Sequence, residues 1–286
     1  MSLRTCMVSC EGKTQNKVGI HMIEKFGSAS DIFSVKGKKA LITGGSKGLG
    51  RAMALCLLEN GCDVFLTSRN VEPCKEVAEY AKTLGRNCFY KSCDVTVTEQ
   101  VIEMVEQAKS DMGRIDILIN SAGGCILKFL PEMDDDSWDK VINMNLRSTF
   151  IVTREVCNRA MIPQHYGKII NLSSMKSVLG TALTGHSAYA ASKGAVSMLT
   201  KQLACELAQY GITVSALGPT FIKTDINATL LEDPNFRDPL IRRIPVGRIG
   251  EFKYMMGLML LCASDASEFL TGQTYLIDGG IASRQE

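Results

Sequence analysis

The chain has 286 residues, of which 45% are hydrophobic and 22% are charged, and its formal net charge is +2. This length and composition suit one α/β domain with a large core, and without a block of basic residues we expect no nucleic-acid partner. The longest apolar stretch, Met255 to Ala263, is too short to span a bilayer, so we expect no membrane segment.

Cysteine and histidine usage argues against a disulfide framework or a metal site. The eleven cysteines are scattered without a C-x-x-C pair, and the three histidines, His21, His165 and His186, do not cluster. Disulfide frameworks and zinc sites need regular or clustered spacing. We therefore expect free thiols, no metal and a cytoplasmic location.

The beginning of the chain differs from the rest. Residues 1–31 are predicted to form an N-terminal extension without the apolar core of a secretory signal. Within it, Met22 to Phe26 is either one helical turn or disordered. A single domain is predicted over residues 32–286.

Strand and helix patterns alternate along this domain. The predicted strands cover residues 39–43, 62–67, 87–91, 116–120, 167–172, 213–217 and 273–277. The first predicted helix follows the glycines of residues 44–50 and stops at Asn60-Gly61, and the others cover residues 73–84, 98–112, 136–161, 187–210 and 254–263. Such alternation indicates an α/β fold, a Rossmann-like doubly wound parallel sheet of about seven strands with helices on both faces. Ligands of such sheets bind at the carboxyl ends of the strands.

One segment, at about residues 224–249, breaks the alternation and is predicted to be a loop-rich lid over a substrate. Its prolines and arginines are Pro234, Pro239, Pro245, Arg237, Arg242 and Arg243. A basic lid would suit an acidic or polar substrate. The arginines could equally solvate the outer face of the lid, and the sequence leaves both interpretations open.

A glycine-rich turn separates the first predicted strand from the first long helix. Its residues are Gly44, Ser46, Lys47, Gly48, Leu49 and Gly50. Glycines permit a tight turn and a close approach of backbone to phosphate, and the following helix offers free N–H groups to a pyrophosphate. In this strand–turn–helix context we expect a dinucleotide cofactor.

A tyrosine and a lysine four residues apart, Tyr189 and Lys193, form the second motif. Positions i and i+4 share a helix face, so the ammonium should lie beside the phenol and lower its pKa. Such a tyrosine can give or take a proton near neutral pH. The preceding strand ends at Ser173 and Ser174, where a hydroxyl could bind the oxygen that the tyrosine protonates.

The motifs occur in the order typical of one family. They are Thr43-Gly44-x-x-x-Gly48-x-Gly50, Asn120-Ser-Ala-Gly123, Asn145, Ser174, Tyr189-x-x-x-Lys193 and Asp278-Gly-Gly280. Together they resemble the short-chain dehydrogenase/reductase family over residues 32–281. The resemblance implies an oxidoreductase that transfers a hydride between a nicotinamide and an alcohol or ketone.

The choice of cofactor is predicted from the end of the second strand. An acidic residue there would bond the ribose 2′-hydroxyl of NAD, but this strand ends in Ser68 and Arg69. With Lys47 and Ser46 at the same corner, two cations and two hydroxyls suit a 2′-phosphate. We therefore predict NADP(H).

Further cofactor contacts are implied by the resemblance. Those predicted at the adenine ring, the middle of the cofactor and the carboxamide are Asp94, Val95, Asn120, Ala122, Gly123, Pro219, Ile222 and Thr224. Ser121 stands where the family more often has asparagine, and Thr220 where it usually has glycine.

Catalytic roles also follow from the resemblance. Tyr189 is the proton donor or acceptor, Lys193 tunes it and holds the nicotinamide ribose, and Ser174 binds the substrate oxygen. Asn145 would hold a water that links the lysine to solvent. Ser173 and Ser177 remain rivals of Ser174, because the spacing to the tyrosine is about two residues longer than usual.

The substrate and the assembly are the least defined. The resemblance is strongest to gluconate 5-dehydrogenase and polyol dehydrogenase members, so we expect a sugar acid, polyol or related small carbonyl or alcohol. Hydroxysteroid dehydrogenase and 3-oxoacyl carrier-protein reductase are alternatives, as is a catalytically silent NADP-binding regulator or scaffold. Relatives usually form homotetramers, so a homo-oligomer is expected.

Overall fold

A computed structural model describes residues 28–182, 184–225 and 227–284. The predicted helical turn from Met22 to Phe26 lies outside the described residues. So does most of the predicted N-terminal extension.

A seven-stranded parallel sheet forms the centre of the molecule. Its strands are β1 (Lys39–Thr43), β2 (Asp63–Ser68), β3 (Cys88–Ser92), β4 (Ile117–Asn120), β5 (Gly167–Leu172), β6 (Ile212–Pro219) and β7 (Thr274–Ile277). They lie in the order β3-β2-β1-β4-β5-β6-β7. The chain reverses direction of winding between β1 and β4, which confirms the predicted doubly wound fold.

Helices connect the strands and cover both faces of the sheet. The described helices are α1 (Ala29–Ile32), α2 (Gly48–Glu59), α3 (Glu72–Thr83), α4 (Thr98–Met112), α5 (Asp135–Ile142), α6 (Ser148–Val156), α7 (Ile162–Gln164), α8 (Ser187–Leu207), α9 (Ala228–Glu232), α10 (Pro234–Arg243) and α11 (Lys253–Ala263). None of them is long and apolar enough to cross a membrane.

The alternation of side chains along each strand divides the core into two layers. On β1, Ala40 and Ile42 join a cluster with residues of α2, α3 and α11, whereas Leu41 joins a cluster with residues of α4, α6 and α8. Because both faces are covered, the central strands are apolar on both sides, which is why they appear in the sequence as continuous hydrophobic runs.

The long helix predicted over residues 136–161 is one helical rod with two irregular turns. Helices α5, α6 and α7 are joined by π-helical turns at Asn143–Arg147 and Cys157–Met161. Such wide turns are frequent at functional sites, and the first of them carries Asn145.

The segment predicted to be a loop-rich lid is largely helical, so the predicted loop content was wrong. Its role as a lid remains a prediction. Helices α9 and α10 occupy most of residues 224–249. Pro234 is the first residue of α10, where a missing N–H costs no hydrogen bond, and the carboxylate of Asp233 accepts from the Asn235 amide at 2.9 Å. Pro239 lies inside the same helix. The prolines therefore start and shape a helix instead of excluding one.

The carboxyl ends of the strands meet at one edge of the sheet. Thr43, the last residue of β1, is in register with Thr67 of β2 and with Asn120 of β4. Its hydroxyl accepts hydrogen bonds from the amides of Ser121 and Ala122, each at 3.1 Å. These bonds hold the chain after β4 against the start of the glycine-rich turn.

Candidate active site

Two adjoining cavities open along this carboxyl edge. The glycine-turn cavity, about 800 Å³, lies over the ends of β1, β2 and β4. The tyrosine cavity, about 450 Å³, lies over the ends of β5 and β6. Both are lined by Leu49, Ser121, Gly123 and Leu172, so they form one continuous cleft.

The glycine-rich turn leaves no room for side chains. Gly44 has a φ of +68°, and a Cβ placed on it would lie 2.9 Å from the backbone of Ala122. A Cβ on Gly50 would lie 2.3 Å from the carbonyl oxygen of Gly44. The two glycines therefore allow the turn to close on itself and on the end of β4, and both line the cavity.

Most of the predicted cofactor residues line the glycine-turn cavity. They are Gly44, Ser46, Lys47, Leu49, Gly50, Ser68, Arg69, Asp94, Val95, Ala122 and Gly123. Neither Lys47 nor Arg69 has an ion-pair partner within the described part of the chain. Two unpaired cations beside hydroxyls at one end of a cleft favour a doubly charged anion there.

Tyr189 and Ser174 meet on the wall of the tyrosine cavity. Tyr189 lies in the first turn of α8 and lines the same cavity as Ser174. Its ring also contacts His186 edge-on, with the ring centroids 5.9 Å apart. Burial raises the pKa of the phenol, and the nearby Ser174 hydroxyl lowers it by less.

Lys193 lies one turn further along α8, almost fully buried. Its ammonium is 5.7 Å from the centre of the Tyr189 ring and donates to the carbonyl of Leu172 at 2.6 Å. Burial lowers the pKa of Lys193 to about 8. The predicted lowering of the phenol pKa was wrong in direction, because burial of the phenol outweighs the interactions that favour phenolate.

The three candidate serines occupy different environments. Ser173 is buried, and its hydroxyl donates to the carbonyl of Lys193 at 3.1 Å and lies 2.8 Å from that of Ser197. The hydroxyl of Ser177 donates to the carbonyl of Ser174 at 2.7 Å. Of the three, Ser173 and Ser174 line the tyrosine cavity, and the hydroxyl of Ser174 is the one that lowers the pKa of the Tyr189 phenol. This proximity favours the predicted choice, which remains a prediction.

A sequence profile for short chain dehydrogenases matches residues 38–235, well over half of the chain. The protein belongs to the short chain dehydrogenase family. The ordered motifs and the seven-stranded sheet are those expected of its members.

Individual relatives cover almost the whole chain. A gluconate 5-dehydrogenase of Gluconobacter oxydans is 37% identical over 254 residues, which are 89% of this chain and 98% of the relative. A 3-oxoacyl-(acyl-carrier-protein) reductase of Salmonella typhimurium is 34% identical over 248 residues, 87% of this chain and 98% of the relative. The crystal structure of a gluconate 5-dehydrogenase from Burkholderia cenocepacia, in complex with NADP and tartrate, is 36% identical with a TM-score of 0.84, covering 90% of this chain and all of the other.

Asn145 of this short chain dehydrogenase lies behind the cleft, 1% exposed. Its side-chain oxygen accepts from the amide of Gly124 at 3.0 Å, and its nitrogen donates to the carbonyl of Gly124 and to the hydroxyl of Ser192. The asparagine thus fixes the loop after β4 and the residue that precedes Lys193. The predicted water-holding role remains a prediction.

Four other predicted cofactor residues line neither cavity. The amide of Gly48 donates to the carboxylate of Asp225 at 3.0 Å. The side chain of Asn120 donates to Thr153 and to Asn171, each at 2.9 Å. The other two are also held by the fold: Ile222 is buried and bridges Gly250, and the amide of Thr224 donates to Asn227. In this short chain dehydrogenase the four residues therefore bond to or pack against other residues of the chain and do not face the cleft.

Several residues of the tyrosine cavity were not predicted as site residues. They are Cys125, Lys176, His186 and Thr220, while Arg243 was predicted only as part of the lid. These residues come from separate loops and helices, so no short sequence motif connects them. Pro219, by contrast, lies there as predicted. Among the described residues, no group of three or more His, Cys, Asp or Glu side chains could hold a metal ion.

Proposed function

We propose that the protein is an NADP-dependent oxidoreductase that transfers a hydride between nicotinamide and a secondary alcohol or ketone of a sugar acid. The observation that carries this proposal is that Ser174, Tyr189 and Lys193 line one cavity, next to a cavity built on the glycine-rich turn. The two cavities adjoin, so a dinucleotide lying in the first would present its reactive ring to the second.

The shape and the charge of the glycine-turn cavity fit NADP. The turn packs closely on itself and on the end of β4, because a Cβ at Gly44 or Gly50 would collide with backbone there, and both glycines line the cavity in which a pyrophosphate would lie. Lys47 and Arg69 suit a 2′-phosphate, because a guanidinium binds phosphate oxygens in pairs. The NADP complex of the Burkholderia relative supports the same choice.

The protein supplies acid–base chemistry and electrostatics around the reacting oxygen. The nicotinamide supplies the hydride when it is bound. Tyr189 gives a proton to the carbonyl oxygen in reduction and takes it back in oxidation. Ser174 donates a hydrogen bond to the same oxygen and stabilises its developing charge. Lys193 places a buried positive charge beside the phenol, and Asn145 fixes the neighbouring loop.

Sugar acids are the substrate class that the relatives support best. The Gluconobacter and Burkholderia proteins are both gluconate 5-dehydrogenases. Because the Salmonella reductase is also similar to this chain, reduction of a 3-oxoacyl carrier protein is a second candidate function. A silent scaffold has less support, since Ser174, Tyr189 and Lys193 are all present at the cleft.

The nine cysteines within the described range are free thiols, which supports the proposed cytoplasmic location. We also propose a homo-oligomer, the homotetramer that the family resemblance implies, in which long helices pack between subunits. Exposed apolar side chains on α6 and α8, Phe150 and Met198, support this packing.

The test examines the proposed cofactor and the proposed substrate together. The purified protein is assayed with NADP and NAD on D-gluconate, on 5-keto-D-gluconate in reverse, and on a 3-oxoacyl thioester. We expect turnover of the sugar acid with NADP preferred. The double variant Lys47→Ala/Arg69→Ala should lose at least tenfold of that preference, because each charged contact to phosphate contributes about 1.5–3 kcal/mol. An unchanged preference, or turnover of the thioester alone, would contradict the proposal.

A further inference from the structure

The tyrosine cavity has a strongly one-sided charge. Four basic side chains line it, namely Lys176, His186, Lys193 and Arg243. Among the described residues, no aspartate or glutamate lines the same cavity. The glycine-turn cavity differs, since Asp94, Asp136 and Asp139 accompany the cations there. The excess of positive charge is therefore a property of the substrate end of the cleft.

Two of these cations have no anionic partner. Neither the ammonium of Lys176 nor the guanidinium of Arg243 forms an ion pair or a side-chain hydrogen bond with any residue that the structure describes. Arg237, on the same helix as Arg243, is paired with Asp238 at 2.9 Å. The lid arginines are thus not equivalent, and Arg243 is the one that lines the cavity.

The two unpaired cations line the same cavity. Burial and the positive charge of Arg243 both lower the pKa of Lys176, and burial and Lys176 lower that of His186. Two like charges on the wall of one cavity are unfavourable for each other unless an anion joins them. A bound anion would remove the repulsion and supply the missing hydrogen-bond acceptor.

The two cations reach the cavity from different parts of the fold. Lys176 lies in a short 3-10 turn after β5, two residues beyond Ser174, and Arg243 is the last residue of α10 in the lid. An anion held by both would therefore join the lid to the sheet beside the reacting hydroxyls. A carboxylate suits this place, because the planar guanidinium fork matches its two oxygens.

We propose that Lys176 and Arg243 form a carboxylate subsite that selects anionic substrates and ties the lid over them. The subsite deepens the proposed function and rests on it, since the reacting alcohol must lie at Ser174 and Tyr189 when the carboxylate lies between the two cations. The two residues are positioning residues: they determine which molecule is held, while the chemistry stays with the tyrosine.

The test compares two ligands that differ in charge at one end. NADP-loaded wild type and Arg243→Gln, Lys176→Gln and Arg242→Gln variants are assayed with D-gluconate and with its neutral amide, D-gluconamide. Arg242 is the matched control, because it is an exposed arginine of the same helix that does not line the cavity.

For Arg243→Gln and Lys176→Gln, we expect KM for gluconate to rise about 10- to 100-fold with little change in kcat. This is the effect expected when one charged hydrogen bond to the substrate is lost. KM for gluconamide should stay within about twofold, and Arg242→Gln should resemble wild type for both ligands. Arg243→Lys should recover part of the loss. An equal effect on both ligands, or none on either, would overturn the subsite.

A binding experiment separates failure of the subsite from failure of the proposed function. NADP-loaded Tyr189→Phe protein, with and without Arg243→Gln, is titrated with both ligands by calorimetry. If wild type oxidises neither compound, the proposed sugar-acid activity is wrong. Tighter binding of gluconate than of gluconamide, lost in the Arg243→Gln background, would still support the subsite. Equal binding of the two, or no binding of gluconate, would contradict it.

Discussion

At the scale of single residues, burial determines the chemistry of the site more than sequence spacing does. The i, i+4 spacing placed Lys193 on the same helix face as Tyr189, as predicted, but it could not reveal that Lys193 is buried and Tyr189 half-buried. Burial disfavours the charged form of each, so it raises the pKa of the phenol and lowers that of the ammonium.

The lowered pKa of Lys193 predicts a specific pH dependence of stability. Between its folded pKa of about 8 and the ordinary value of 10.5, the unfolded chain binds more protons, so stability rises with pH across this window. Below pH 8 the cost of burying the charge is fully present, on the order of 3 kcal/mol. The stability of wild type relative to Lys193→Met should therefore increase from pH 8 to 10, as measured by urea unfolding.

The control for this experiment is Lys201→Met, which removes an exposed lysine from the same helix. Its stability should follow wild type at every pH. If the stabilities of wild type and Lys193→Met change in parallel from pH 8 to 10, Lys193 is not desolvated as it is in the structure.

At the scale of elements, patterns within one segment were predicted well and contacts between segments were not. Strands β1 and β5 and helix α4 begin and end where the sequence placed them, because apolar runs and helical periodicity are local signals. The helical lid was missed, since its prolines look like breakers until Pro234 is seen at the first position of α10. The role of Asn120 was obscured in the same way, because its partners Thr153 and Asn171 come from other elements.

The glycine-rich turn gives a prediction at this scale. In Gly50→Ala, the new methyl group would lie 2.3 Å from the carbonyl oxygen of Gly44, a backbone atom that cannot rotate away. The turn must shift, so we expect a loss of about 1–3 kcal/mol in stability and weaker NADP binding. Thermal unfolding and fluorescence titration with NADPH measure the two effects.

Gly257→Ala is the matched control, since Gly257 also lies in a helix and a Cβ there would meet nothing within 4 Å. Alanine has the higher helix propensity, so this variant should gain about 0.5–1 kcal/mol and bind NADPH as wild type does. Equal behaviour of the two glycine variants would show that the turn is not closely packed.

At the scale of the whole molecule, the parallel sheet explains why distant motifs form one cleft. All seven strands run in the same direction, so the turn after β1, the loop after β4 and the serines after β5 reach the same edge. This much follows from strand–helix alternation in the sequence. The joint lining of one cavity by Lys176 and Arg243 does not, because it depends on how α10 packs against the end of the sheet.

The central claim is that a hydride and a proton are delivered to one carbonyl at the junction of the two cavities. It is tested most directly with NADPH carrying deuterium at the nicotinamide carbon that donates the hydride, incubated with 5-keto-D-gluconate. Wild type should place one deuterium on the new alcohol carbon for each NADPH consumed. Tyr189→Phe should bind NADPH normally but react about 10²- to 10⁴-fold more slowly. Tight NADPH binding by wild type without any deuterium in the product, or a Tyr189→Phe rate equal to that of wild type, would contradict the account.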